Sequence, residues 1–369
     1  MPSLCFRPRA PSIRTLHTFS TPAPRLRHKL PLHQPPTTTH PRRLSSLPYV
    51  PTCPPSTCTC LPTLPKLDID RKTPLLNTMA HYASHVVVCS GKPDWSSRIE
   101  DEATPAGDFV RGMKNVVGRG GERFDPFNNI VATLSSFPAS TTTAPATTTI
   151  LLFPSFQKIE AVPHDAQTLS ALAAAYLSAH TLHPMHTASL TPAQKPPTHL
   201  LRDPALASLL PAPSPITHPV ILICGHGGRD ERCGILGPIL ETEFKKVLAE
   251  KKIGADVASI SHIGGHKFAG NVIVYIPPNW GGGSAEEDGD GSALAGTGLW
   301  YGRVGPENVE GIVEETVVRG RVIADLFRGG ITQGGGNLGR VLEAQIKRDR
   351  GDSGGEEGEG LKLKPRARG

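Results

Sequence analysis

Between residues 220 and 276 the chain alternates strand-like apolar runs with one long helical pattern, and this alternation constrains the fold most. Val220–Cys224 (VILIC) is an unbroken apolar run rich in β-branched residues, as expected of a strand covered on both faces. A glycine-rich loop over 225–234 follows. Ile235, Leu236, Ile239, Leu240, Phe244, Val247 and Leu248 then recur at helical spacing over 235–252. Strands are expected at Asp256–Ser261 and Asn271–Ile276, with the Gly-rich segment His262–Gly270 between them. Beyond a Gly/acidic loop (Gly281–Gly298), Trp300–Val304 reads as a short strand. Pro306 then opens an amphipathic helix that runs to Phe327. Strands alternating with helices in this order give an α/β class.

The first half is patterned more weakly. His85–Cys89 and Thr149–Phe153 read as buried strands, and His164–Ala179 as a helix with Leu169, Leu172, Ala173, Tyr176 and Leu177 on one face. Residues 138–148 are low in complexity and read as a loop insertion. The expected organisation is a disordered, transit-like leader over 1–78, an N-terminal α/β domain over 79–182 and a Pro/Ser/Thr/His-rich linker over 183–219. A C-terminal domain over 220–332 and a disordered charged tail over 345–369 complete it.

Charge separates the leader from the body. The net charge is +6, yet residues 1–78 alone hold eleven basic and two acidic side chains, so the rest is mildly acidic. A body without a basic face argues against nucleic-acid binding. An Arg- and Ser-rich segment with no acid before Asp68 has the composition of an organelle transit peptide, although 16 of the 37 prolines lie in it and restrict any helix there. No apolar run is long enough to span a bilayer.

Chemistry concentrates in the C-terminal half. Cys224 and Cys233 are separated by eight residues, and 28 residues later comes His262-Ile263-Gly264-Gly265-His266. Cys224 ends a strand and Cys233 precedes a helix, whose N-terminal dipole favours thiolate, as do Arg229 and Arg232. Gly225, Gly227, Gly228 and Gly234 allow backbone N–H groups to face sulfur, and Gly264-Gly265 allows both imidazoles to turn toward one point. Two thiolates and two imidazoles could hold zinc, but eight residues is wide for a single-ion knuckle. A two-iron cluster suits that loop better. Cysteines on one iron and histidines on the other would be the Rieske ligand set, although the Rieske sequence boxes are absent.

The segments CGHGGRDERCG, SHIGGHKFAGN, VIVYIP, WYGRVGPENVEGIVEE and LFRGG resemble the sucrase/ferredoxin-like family of thioredoxin-like ferredoxins, over roughly 81–330. Gly91-Lys92-Pro93-Asp94-Trp95 extends the match weakly into the first half. The resemblance implies a thioredoxin-like C-terminal domain, preceded by a smaller, degenerate α/β domain. It also implies one [2Fe-2S] cluster held by Cys224, Cys233, His262 and His266, and a mitochondrial location that agrees with the leader.

The expected function is therefore that of an iron–sulfur electron carrier rather than an enzyme, serving mitochondrial redox homeostasis with an unknown redox partner protein. The alternatives are a zinc-stabilised interaction module and a thiol redox protein. The last is weaker on sequence, because no Cys-x-x-Cys occurs. Cys89 reads as a buried strand residue, His226 as a solvent-facing loop histidine, and Trp300 and Tyr301 as core or shielding residues. Cys5, Cys53, Cys58 and Cys60 carry no assigned role.

Overall fold

The computed structural model describes residues 46–57, 67–140, 147–188, 190–191, 194–281 and 291–351. The first half comprises β1 (Tyr49–Val50), β2 (Ser84–Cys89), α1 (Pro105–Val117), β3 (Ile130–Ser135), β4 (Thr147–Phe153), β5 (Gln157–Pro163), α2 (Ala166–Leu172) and β6 (Ser214–Pro215). The second half comprises β7 (Val220–Cys224), α3 (Glu231–Glu250), β8 (Asp256–Ile260), β9 (Val272–Ile276), β10 (Thr297–Tyr301), α4 (Pro306–Ile312), β11 (Val322–Ile323), β12 (Phe327–Thr332) and α5 (Leu338–Asp349).

Local chemistry sets these elements. At α1 the Thr104 side chain accepts the Gly107 N–H, Pro105 occupies the first turn, and Phe109, Val110, Met113 and Val116 are buried at helical spacing. Asp165 caps α2 by accepting the Thr168 N–H, and one wider π turn, Ala173–Leu177, prolongs that helix. All five residues of β7 and of β9 are buried, as their unbroken apolar runs require.

Ten strands form one mixed sheet in the order β12-β10-β9-β7-β8-β3-β2-β4-β5-β6. The second half repeats the order of the first. β2 lies parallel to β3 and antiparallel to β4, and β4 is antiparallel to β5. Likewise, β7 lies parallel to β8 and antiparallel to β9, and β9 is antiparallel to β10. The halves meet where β3 pairs β8 at Ser135 and Ile260. Val86 and Val88 enter a core under α1 and α2, whereas Ile221 and Ile223 enter one under α3 and α4. The alternate residues Val87, Val220 and Leu222 join Tyr82, Tyr275 and Trp300 in a third core common to both halves.

The mixed α/β expectation holds, with several boundaries moved. The helix from Pro306 ends in a π turn at Val318, short of Phe327, because the chain re-enters the sheet through β11 and β12. Helix α5 reaches into the segment read as a charged tail, and Leu338 and Leu342 are buried beneath it. The stretch read as a disordered leader contains ordered chain at 46–57 and 67–78. There β1 pairs in parallel with β11, and Leu47 is buried. The Leu47 N–H donates to Gln345 Oε1 at 2.9 Å, and Gln345 Nε2 donates back to the Leu47 carbonyl at 3.1 Å. The half-buried Cys53 thiol faces the Asn308 carbonyl at 3.6 Å. Cys5, Cys58, Cys60, the acidic loop at 285–290 and most of the 138–148 insertion lie outside the described residues.

Candidate functional site

Cys224 closes β7, and Cys233 lies in the first turn of α3, which begins four residues earlier than its apolar periodicity suggests. Asp230 caps that helix by accepting the Arg232 N–H at 3.1 Å. Its carboxylate also holds the Arg232 guanidinium, with Nε and Nη2 each at 2.9 Å, so this cation is spent on Asp230. The loop between the cysteines packs tightly against α3. A Cβ on Gly234 would lie 2.5 Å from the Gly227 Cα, so both positions require glycine.

Both cysteines are buried free thiols. The neighbouring Cys233 side chain is the main cause that holds Cys224 well below the usual thiol range. Burial opposes the effect, while the His262 side chain and the His226 backbone N–H add to it. Cys233 is pushed up, by the adjacent Cys224 first and by burial second. The two thiols therefore lose their protons as a pair and not independently.

Between β8 and β9, Gly264 and Gly265 take left-handed backbone conformations, with φ of 84° and 75°. The two turns bring the rings of His262 and His266 to 5.4 Å between centroids, the convergence expected of H-x-G-G-H. His262 Nδ1 is buried without a hydrogen-bond partner. Arg328, on β12, closes this loop from below. Its Nη1 donates to the Gly264 carbonyl at 3.2 Å and to Asn271 Oδ1 at 2.6 Å. Asn271 links back, for its Nδ2 donates to the Gly265 carbonyl at 3.0 Å and its carbonyl accepts the Cys224 N–H at 2.9 Å.

The first half contributes a clamp. The Asp94 carboxylate accepts the Gly228 N–H at 3.1 Å, and His226 Nε2 reaches the Trp95 and Ser96 carbonyls at 3.2 and 3.0 Å. His226 is 1 % exposed and packs edge-on against Trp95, which overturns its reading as a solvent-facing residue. Glu102 fixes the turn in place by accepting Lys92 Nζ at 2.5 Å and the Ser96 N–H at 2.8 Å. Cys89 is buried, as expected, and Trp300 and Tyr301 lie in the core.

The sucrase/ferredoxin-like family profile matches residues 75–329, a span that contains both halves of the sheet and every residue of this site. The chain belongs to the sucrase/ferredoxin-like family. Among curated proteins it is similar to altered inheritance of mitochondria protein 32 of Clavispora lusitaniae, 47% identical over 113 residues that make up 30% of this chain and 34% of the relative. The protein of that name from Debaryomyces hansenii is 47% identical over 110 residues, 30% of this chain and 35% of the relative. The one from Saccharomyces cerevisiae (strain RM11-1a) is 38% identical over 113 residues, 30% and 32% of the two chains. The chain thus spans about a third of the length of these relatives. Their names agree with a mitochondrial location. No solved structure matches, and the thioredoxin-like part of the expectation stays with the resemblance.

Membership in a ferredoxin-like family raises the question of an iron–sulfur cluster, and the donor geometry answers against the expectation. Among the described residues, no three or more His, Cys, Asp or Glu side chains are grouped so as to hold a metal ion. The predicted [2Fe-2S] electron carrier is therefore corrected, and the zinc-stabilised module falls on the same finding. Also among the described residues, no helix is long and apolar enough to cross a membrane.

Proposed function

We propose that the chain is a mitochondrial thiol redox protein whose reversible couple is Cys224 and Cys233. One observation carries this reading: Cys224 and Cys233 are two buried free thiols at one site, with Cys224 held well below the usual thiol range chiefly by its neighbour Cys233. A low-pKa thiolate is the attacking species in thiol–disulfide exchange, and a neighbouring thiol is its resolving partner. The His262 side chain and the His226 backbone N–H support the assignment, since both also act to lower the Cys224 pKa.

In the oxidising direction, the Cys224 thiolate attacks one sulfur of a low-molecular-weight disulfide, forms a mixed disulfide and expels one thiolate. Cys233 then gives up its proton and bonds to the Cys224 sulfur, expelling the second. Two electrons pass from the cysteines to the small disulfide, which leaves as two thiol equivalents, one of them carrying the Cys233 proton.

Oxidation of the reduced full chain with a small disulfide, followed by peptide mapping, tests this. The expected product is a Cys224–Cys233 disulfide that forms reversibly and is lost in Cys224→Ser and Cys233→Ser. Persistence of both free thiols, or a stoichiometric metal in the purified protein, overturns the reading.

A further inference from the structure

We infer that the cavity at the end of β2 opposite Cys89 binds a small, singly charged organic carboxylate. Its charged end lies on Arg202 and its apolar body against Phe153, Pro154 and Leu177. The inference is independent of the thiol couple and shares no residue with the cysteine site.

The cavity has a volume of about 720 Å³, within the range of small-molecule sites. Ala83 and Ser84, where β2 begins, form one wall, and the turn between β4 and β5 forms another. The loop after β12 adds Gln333 and Gly335, so both halves of the chain contribute. These walls are held in place before any ligand arrives. Phe153 stacks on Tyr275 with ring centroids 3.8 Å apart. Gly335, at a φ of 76°, donates its N–H to the Thr332 carbonyl at 2.9 Å.

Charge decides the class of ligand. None of the described residues lining the cavity is acidic, whereas Arg202 and His180 both line it. The backbone keeps these two together, for the Arg202 N–H donates to the Ala179 carbonyl at 2.8 Å. The half-buried Arg202 guanidinium commits Nε to the Ser178 carbonyl at 3.2 Å and Nη2 to the Tyr176 carbonyl at 2.5 Å. Asn128 Nδ2 donates to the Leu177 carbonyl at 2.9 Å. Each carbonyl over 176–179 thus has its donor, which leaves no bare row of oxygens to attract a cation.

Capping this helix end accounts for two of the three guanidinium nitrogens. Among the described residues, Nη1 has no hydrogen-bond partner and no carboxylate pairs with Arg202. Burial lowers the pKa of Arg202, and no acid offsets it. A carboxylate beside Nη1 supplies both the missing acceptor and the missing charge, and one uncompensated cation matches one negative charge. His180 offers a second N–H at the same cavity.

Ligand-observed NMR titration of the full chain tests this with two probes of similar shape and opposite charge, phenylbutyrate and phenylbutylamine. Phenylbutyrate is expected to saturate with a Kd of about 1 mM or tighter, at least about tenfold below that of the amine. Arg202→Gln is expected to weaken phenylbutyrate about tenfold or more. Thr181 is an exposed lining residue, so Thr181→Glu adds a repelling charge without disturbing the helix end. It is expected to weaken phenylbutyrate at least about threefold. Equal affinity for the two probes, or no saturable binding of phenylbutyrate, overturns the inference. So does an unchanged Kd in folded Arg202→Gln. Where Arg202→Gln fails to fold, an unchanged Kd in Thr181→Glu overturns it instead.

Discussion

His226 Nδ1 accepts the backbone N–H of His262 at 3.0 Å, so a side chain from the loop after β7 holds the backbone of the loop after β8. The same imidazole must carry its proton on Nε2, where it faces the Trp95 and Ser96 carbonyls. Three segments distant in sequence thus converge on one neutral ring. Replacing His226 with Ala is expected to cost about 2–4 kcal/mol, since it empties a buried site and leaves three polar groups without partners. Chemical denaturation measures the loss. Midpoints within error of wild type would show that the bridge contributes nothing.

A second prediction concerns acid. His85 is fully buried between the Tyr275 hydroxyl and Thr133 Oγ1, each at 2.8 Å, and burial lowers its pKa to about 3. The unfolded chain takes up a proton near the ordinary histidine value, while the folded chain does not. Stability from this source is therefore intact above about pH 6.5 and lost as pH falls toward 3, at up to about 1.4 kcal/mol per unit. In His85→Gln that part of the acid slope is expected to vanish. Parallel pH profiles of unfolding free energy in the two proteins would refute it.

Glu102 behaves in the opposite sense. Hydrogen bonds from Lys92, the main cause, and from Ser96 hold its carboxyl down at about 2. Its contribution is present above about pH 4.5 and lost as pH falls toward 2. Glu102→Gln should cost about 1–3 kcal/mol at neutral pH and loosen the turn that bears Asp94 and Trp95. Hydrogen exchange at Gly228, whose N–H donates to Asp94, reads this, and unchanged protection there would separate Glu102 from the site.

The N-terminal strand supplies a truncation test. A chain beginning at residue 46 keeps β1 and the buried Leu47, whereas one beginning at residue 58 loses both. Loss of the Leu47 side chain alone is worth about 2–3 kcal/mol, so the shorter protein is expected to melt several degrees below the longer one. Coincident melting curves would show that β1 is dispensable.

The second half was legible because its signals are local. VILIC and NVIVYI are apolar without interruption, and the four expected site residues stand beside glycines that shape their loops. β3, β5 and β12 were missed because their apolar residues are interrupted. Gln157–Pro163 alternates weakly, and Arg328 sits in the middle of β12. His226 and Arg328 escaped for a related reason. Their partners lie across the sheet, at Trp95 and Ser96 for one and at Thr78 and Gly264 for the other, and no local spacing records such pairings. The cluster expectation failed differently. Residue types and loop lengths were compatible with it, but the grouping of side chains in space that decided against it among the described residues is not encoded in spacing.

The repeated strand order sets Cys89 at the end of β2 where Cys224 ends β7. Burial pushes Cys89 up to about 12, the opposite direction from Cys224. The turn after Cys89 bears Asp94, Trp95 and Ser96, which grip the loop after Cys224, so a half-chain separated from its neighbour would keep its cysteines and lose the clamp that holds their loop.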